Sequence, residues 1–460
     1  MDIKVEITSQ EKVKPSSPTP ENLRNFKVSL LDQIAPAVYT PACILYHSNG
    51  VDETCYDPVK ASEKSLMLRR SLSVTLSRFY PLAGRFKDES MIECNDEGAE
   101  FLEARVNCRL SEVYDVGGQL NMELLSKFVP AEIESKEAFT GCLFLAQLSF
   151  FECGGIALGM SISHKIADGA SLGALVTSWV IETVGVDVPP VFPQFDAADV
   201  FPSVDFSISL PLVKMPESKC TTRRFVFENS KIYKLRSEAS CEAVPRPSRV
   251  EALTAFLWKC CMKASRINFN GLIKPSVMGQ TVDLRNRVAP LSDLSFGNLV
   301  IPFAVYAGDD SELKLNELVE SIRSRMTDFL KNRVEKLRNK GGMSEICETY
   351  QMGMDMVFSE EIDFYCFSSA VRFLPWYLVD FGWGAPCWAG LTMTPIKNVV
   401  ILTSTREDDG IEAYVTLKEE DMKVFEVDDE LLSYATLDGL PSGTDLVTTE
   451  NCDCENTSLI

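Results

Sequence analysis

The chain has 460 residues, with 45 basic and 66 acidic side chains, a net charge of −21, a pI near 4.7 and a mean hydropathy of zero. Such a surface repels nucleic acid, which is recognised through a basic face, and the balanced hydropathy describes a globular protein long enough for two or three domains. With only two histidines a His-rich metal site is excluded, and the 15 cysteines show no C-x-x-C spacing, so they are expected to be reduced, mostly buried thiols with no metal and no disulfide framework.

Taken in chain order, the opening stretch MDIKVEITSQEKVKPSSPTP is charged and lacks an apolar run of signal-peptide type, which points to a cytoplasmic protein. His47, in Leu45-Tyr46-His47-Ser48-Asn49-Gly50, sits among loop residues and reads as a surface histidine without a role. Leu68, Leu72, Leu76 and Phe79 recur at helical spacing up to the Tyr80-Pro81 stop. The apolar run Leu143–Ser163 is long enough to suggest a membrane span. It carries Gln147 and Glu152 and is broken by Gly154-Gly155, so two buried strands joined by a tight turn are expected instead.

Along Ile156–His164 large apolar residues alternate with small ones, the period of a strand. His164 has the parity of Ile156, Leu158, Met160 and Ile162. It is followed by a turn, Lys165-Ile166-Ala167-Asp168-Gly169, and by a helix with Leu172, Leu175, Val176, Trp179 and Val180 on its apolar stripe. A histidine at a strand's carboxyl end beside a sharp turn is well placed to act as a general base, and a carboxylate four residues on can fix the turn and the ring. By itself the spacing fits a satisfied core histidine equally well.

Residues 186–219 hold six prolines and little periodicity, which marks a linker between a domain over 1–185 and a second over 220–439. Ser248 opens a helical pattern carrying Val250, Leu253, Leu257 and Cys261. The basic run Arg323–Lys340 reads as a solvated helix face rather than a phosphate site. Two glycines bracket a tryptophan in Asp380-Phe381-Gly382-Trp383-Gly384, a conformationally special loop that Asp380 is expected to lock by hydrogen bonds. Val399–Ser404 and Ile411–Leu417 flank the Asp409-Gly410 turn as a hairpin. Residues 440–460 have no apolar periodicity and are expected to form a disordered tail.

No G-x-S-x-G elbow, P-loop or G-x-G-x-x-G fingerprint occurs in the chain, and Asp380-Phe381-Gly382 has neither of the loops that would make it a kinase triplet. Two motifs together are more telling. His164-Lys-Ile-Ala-Asp168-Gly169 followed by Asp380-Phe-Gly-Trp-Gly384 resembles the plant BAHD acyltransferase family. So do Leu30-Leu31-Asp32-Gln33, Tyr80-Pro81-Leu82-Ala83-Gly84-Arg85, Val282-Asp283-Leu284-Arg285 and Ser295-Phe296-Gly297-Asn298-Leu299. The segments KPSSPTPENL, FECGG and SHKIADGAS are most similar to the branch that acetylates alkaloid alcohols.

The resemblance implies a mixed α/β fold of two chloramphenicol-acetyltransferase-like domains with a tunnel between them. In that scheme acyl-CoA enters from one side and a small-molecule alcohol from the other, and His164 takes the proton of the alcohol midway. Asp168 would pair with Arg285. Asp380, Gly382 and Gly384 would be structural, and Ser248, Thr254 and Trp383 would lie on the CoA side. Acetyl-CoA is the expected co-substrate of a monomeric enzyme with no permanently bound cofactor and no metal. Transfer of a hydroxycinnamoyl or benzoyl group, and a non-catalytic role, are the alternatives.

Overall fold

The computed structural model describes residues 2–48, 55–114, 120–204, 219–269, 271, 273–307, 314–334, 340–359, 361–371, 373, 376–406 and 409–437. The expected tail and residues 205–218 of the proline-rich stretch lie outside the described residues.

The strands, in chain order, are β1 (Val5–Val13), β2 (Asn25–Lys27), β3 (Tyr39–Tyr46), β4 (Arg85–Asp88), β5 (Met91–Glu93), β6 (Ala99–Val106), β7 (Phe144–Phe151), β8 (Ile156–Ser163), β9 (Cys220–Phe227), β10 (Ser276–Asp283), β11 (Val300–Tyr306), β12 (Asp363–Ser369), β13 (Trp388–Gly390), β14 (Val399–Ser404), β15 (Ile411–Lys418) and β16 (Thr436–Leu437). They form a six-stranded sheet in the order β1-β6-β7-β8-β3-β13, a seven-stranded sheet in the order β11-β10-β12-β14-β15-β9-β16, and a small sheet of β2, β5 and β4. Both large sheets mix parallel and antiparallel pairs.

The apolar run 143–163 is the antiparallel pair β7–β8, every residue of which is buried. No helix among the described residues is long and apolar enough to cross a membrane. The large-and-small alternation along β8 has a steric cause. Ile156, Leu158, Met160 and Ile162 enter the first core. On the other face the chain at Phe128 runs so close that a Cβ on Gly159 would lie 1.9 Å from the Phe128 carbonyl oxygen.

Helix α2 (Pro58–Arg78) follows the short α1 (Leu30–Ile34) and buries Leu68, Leu72 and Leu76. It packs on α3 (Gly169–Val184), where the Trp179 indole N–H lies 3.1 Å from both the Leu68 carbonyl and Ser71 Oγ. Helix α4 (Arg249–Asn268) starts where the sequence places it. Ser248 Oγ accepts from Glu251 N and Glu251 accepts from Ser248 N, a reciprocal capping box. The expected hairpin is β14–β15. Of the basic run, Arg323 on α5 (Leu315–Asp328) pairs with Glu251, so its charge is already spent on a carboxylate.

Two segments cross the division drawn at the prolines. Leu30, Leu31 and Ile34 of α1 pack into the core of the second half. In return Trp376, Tyr377, Val379, Phe381, Trp383 and Ala389 pack into the core of the first. There β13 closes the six-stranded sheet by pairing antiparallel with β3. The described part of the linker is also less bare than its prolines suggest. Phe195 packs edge-on against Phe26, Tyr80 and Phe296, and Gln194 bridges to Ser295.

Candidate active site

His164 stands one residue beyond β8, partly buried, with its backbone N–H held by the Val38 carbonyl at 2.8 Å. Its imidazole meets Asn298: Nδ1 lies 2.9 Å from Asn298 Oδ1. The amide orientation follows from its other contacts. Asn298 Nδ2 donates to the His164 carbonyl at 2.6 Å and to Asp32 Oδ1 at 3.0 Å, both of which only accept. The oxygen of the amide therefore faces the ring, so in the neutral imidazole Nδ1 carries the proton and Nε2 the lone pair. A neutral imidazole with Nε2 unprotonated is the form a general base needs.

Asp168 makes no hydrogen bond to the ring; of the orienting and structural parts expected of it, its contacts are those of the structural one, including the pair with Arg285 that the resemblance implies. It is the N-cap of α3, accepting from Ser171 N at 2.9 Å, and it accepts a two-pronged pair from Arg285 at 2.8 and 3.0 Å. Leu299 N supplies a fourth donor at 3.0 Å. The two side chains are 5% and 1% exposed. Burial alone would raise the Asp168 carboxyl, but Arg285 and the backbone donors outweigh it and hold the group below the usual carboxylate range. Arg285 also donates to the Ser295 and Gly297 carbonyls and to Asp283. The Asp168–Arg285 pair thus clamps the end of β8 to the Ser295–Leu299 loop that carries Asn298.

Asp380 locks its own loop, as the pattern suggests. Its Oδ1 accepts from Gly382 N at 2.8 Å and Gly384 N at 2.9 Å. Both glycines have positive φ, 94° and 97°, a setting that disfavours any side chain.

The three residues expected on the CoA side stand in unlike settings. Ser248 is exposed and spends its hydroxyl on the helix cap. Thr254 is fully buried in α4, and its hydroxyl has no hydrogen-bond partner among the described residues. Trp383 is buried in the first core, edge-on to Tyr46, with Lys64 Nζ 5.5 Å from its ring centroid. His47 is exposed just past β3.

Comparison with known proteins fits this geometry. Residues 3–432 match the transferase family. The chain is 35% identical to 17,18-epoxy-17-hydroxycur-19-ene N-malonyltransferase of Strychnos nux-vomica, covering 94% of this chain and 91% of that one. The chain belongs to the BAHD acyltransferase family, and it is an acyl-CoA-dependent acyltransferase. A second BAHD relative, limonoid 7-O-acetyltransferase of Citrus sinensis, is 35% identical over 95% of this chain and 99% of its own length. Vinorine synthase of Rauvolfia serpentina is 34% identical over 94% and 98%. Its crystal structure superposes with a TM-score of 0.77, at 33% identity over 94% of this chain and 98% of the other. The BAHD architecture of two αβ units is therefore that of this chain.

Asn298 and Asp32 were missed as site residues in the sequence, although both lie inside runs that resemble the family. Asn298 is 134 residues from His164 and Asp32 is 266 from Asn298, and no local pattern links residues so far apart.

Proposed function

We propose that the protein transfers an acetyl group from acetyl-CoA to a hydroxyl of a specialised metabolite, an alkaloid or terpenoid alcohol, with His164 as the general base. The observation that carries this reading is the His164–Asn298 contact, which leaves Nε2 as the proton acceptor. In the proposed sequence the alcohol oxygen attacks the thioester carbonyl while Nε2 takes its proton. The tetrahedral intermediate collapses, CoA leaves as thiolate, and the imidazolium returns the proton to sulfur. Asn298, held by Asp32 and the His164 carbonyl, keeps the Nδ1 proton paired through both steps.

Direct transfer within a ternary complex is supported by the state of the cysteines. Burial pushes the Cys366 thiol up to about 11 and the Cys387 thiol up to about 12, so neither supplies a thiolate at neutral pH. Acetyl as the acyl group, and an alcohol as acceptor, draw on limonoid 7-O-acetyltransferase and on the alkaloid-acetylating branch that the sequence resembles. The N-malonyltransferase relative makes malonyl transfer to nitrogen the rival reading.

The deciding experiment incubates the purified chain with acetyl-, malonyl-, benzoyl- and coumaroyl-CoA against a panel of alkaloid and terpenoid alcohols and amines, read by mass spectrometry. O-acetylated products from acetyl-CoA are expected. N-malonylated products alone, or preference for an aromatic donor, would overturn the donor and acceptor assignment.

A further inference from the structure

Asp32 sits on α1, 2% exposed, and takes four hydrogen bonds. Oδ1 accepts from Asn298 N at 2.7 Å and Asn298 Nδ2 at 3.0 Å. Oδ2 accepts from Ser29 N at 3.0 Å and Ser29 Oγ at 2.7 Å. Among the described residues it forms no ion pair. Ser29 Oγ already accepts from Asp32 N, so its own hydrogen is free to point at the carboxylate. The three N–H partners can only donate, so both carboxyl oxygens accept; burial raises the Asp32 carboxyl, and the bonds from Ser29 and Asn298 oppose that rise. Burying a carboxyl group with no ion-pair partner is costly, an outlay that a helix cap alone does not call for, since a neutral side chain also caps a helix. The expenditure falls next to the one group whose orientation the chemistry depends on.

We propose that Asp32 is a positioning residue for His164, acting through Asn298: its carboxyl group fixes the Asn298 amide so that Oδ1 faces Nδ1. This rests on the reading of His164 as the base. Asp32 makes no hydrogen bond to the ring. Its route is the amide, whose Nδ2 is shared between Asp32 Oδ1 and the His164 carbonyl. Gly297, at φ 138°, a setting that favours glycine, brings the Asn298 N–H to the same oxygen. An amide at position 32 offers one oxygen and one NH2 group. Whichever way it turned, it would set donors against Asn298 or against the Ser29 N–H. In the first case the Asn298 amide loses the partner that fixes it and the ring samples both tautomers; alanine, with no acceptor, does the same without that choice.

Because the chain has two histidines, His164 can be read directly. The full-length protein, selectively labelled with nitrogen-15 histidine, gives two sets of ring resonances, and loss of one set in His164→Ala assigns the other to His47. In the wild type we expect one neutral tautomer at His164, with Nδ1 protonated. In Asp32→Ala, which removes the acceptor outright, we expect mixed tautomers. Turnover with acetyl-CoA and the best acceptor of the panel should fall ~10-fold or more, with the acetyl-CoA KM within about two-fold of wild type, as for a misplaced base. A wild-type tautomer in Asp32→Ala overturns the proposal. Should Asp32→Ala prove insoluble, Asn298→Ala cuts the same route, and an unchanged tautomer there overturns it equally. Full activity in His164→Ala would instead sink the general-base reading, and the two failures are told apart by separate variants.

Discussion

Replacing Asp168 by alanine removes one partner of a buried ion pair while leaving the catalytic ring untouched. The loss can be worked from the contacts. Arg285, 1% exposed in its side chain, would keep Asp283 at 3.0 Å and its carbonyl acceptors but lose both charge-assisted bonds to Asp168. Breaking such a pair costs about 3–5 kcal/mol, and the remaining Asp283 places this case near the lower end. The cap of α3 adds about 1 kcal/mol, and Leu299 N is left without its acceptor. A total of ~4 kcal/mol corresponds to a fall in melting temperature on the order of 10 °C, taking about 2–4 °C per kcal/mol for a large domain. Thermal melts by circular dichroism, run beside activity on the same preparation, would read it. The pH dependence has a sign as well. A carboxyl held below its ordinary 3.8 in the folded state stabilises the protein at all pH values above that. Its contribution disappears as pH falls below about 3.8 toward the folded value. Asp168→Ala should therefore lose stability at pH 7 and converge on the wild type in acid. A variant that melts like the wild type at pH 7 yet is inactive would refute the argument and give Asp168 a part in the chemistry itself.

Further outcomes are expected from other residues. His164→Ala should keep the wild-type melting temperature and lose turnover by ~10²–10⁴-fold, the usual worth of a general base; activity within a few-fold of wild type would contradict it. Initial rates at several fixed acceptor concentrations should give intersecting double-reciprocal lines, whereas parallel lines with a trapped acyl-cysteine would mark a covalent route. Gly159→Val should destabilise the protein by at least ~1–3 kcal/mol, because even a Cβ would stand 1.9 Å from the Phe128 carbonyl oxygen; an unchanged denaturation midpoint would show that the 126–129 segment can give way.

The parts of this fold that were legible in the sequence are those governed by local rules. The β7–β8 pair, the Ser248 cap, the β14–β15 hairpin and the placement of His164 at a strand end all follow from period, turn chemistry or capping, which act within a few residues. What could not be read is set by tertiary contact. The pairing of Asp168 with Arg285 at 2.8 Å, across the linker, was expected from the family resemblance, but the local spacing of Asp168 from His164 could not disclose it. The ring is then held by Asn298, and Asn298 by Asp32. Strand β13 is three residues long, too short for periodicity to register, and only the open edge of β3 reveals it. The alternation in β8 was visible, but its cause, a chain crossing at Phe128, was not.

The exchange of segments between the two halves bears on how the chain is made. Until residues 388–390 emerge from the ribosome, β3 is an uncovered edge whose partner has not been synthesised. At ~5–20 residues per second that interval lasts roughly 20–70 s. Through it the nascent chain carries a row of unpaired backbone groups, a template for pairing with a neighbour's strand. The late-arriving β13 is therefore also what closes that edge in the newborn chain. A chain truncated before it leaves the edge open, a general hazard for strand-to-strand association.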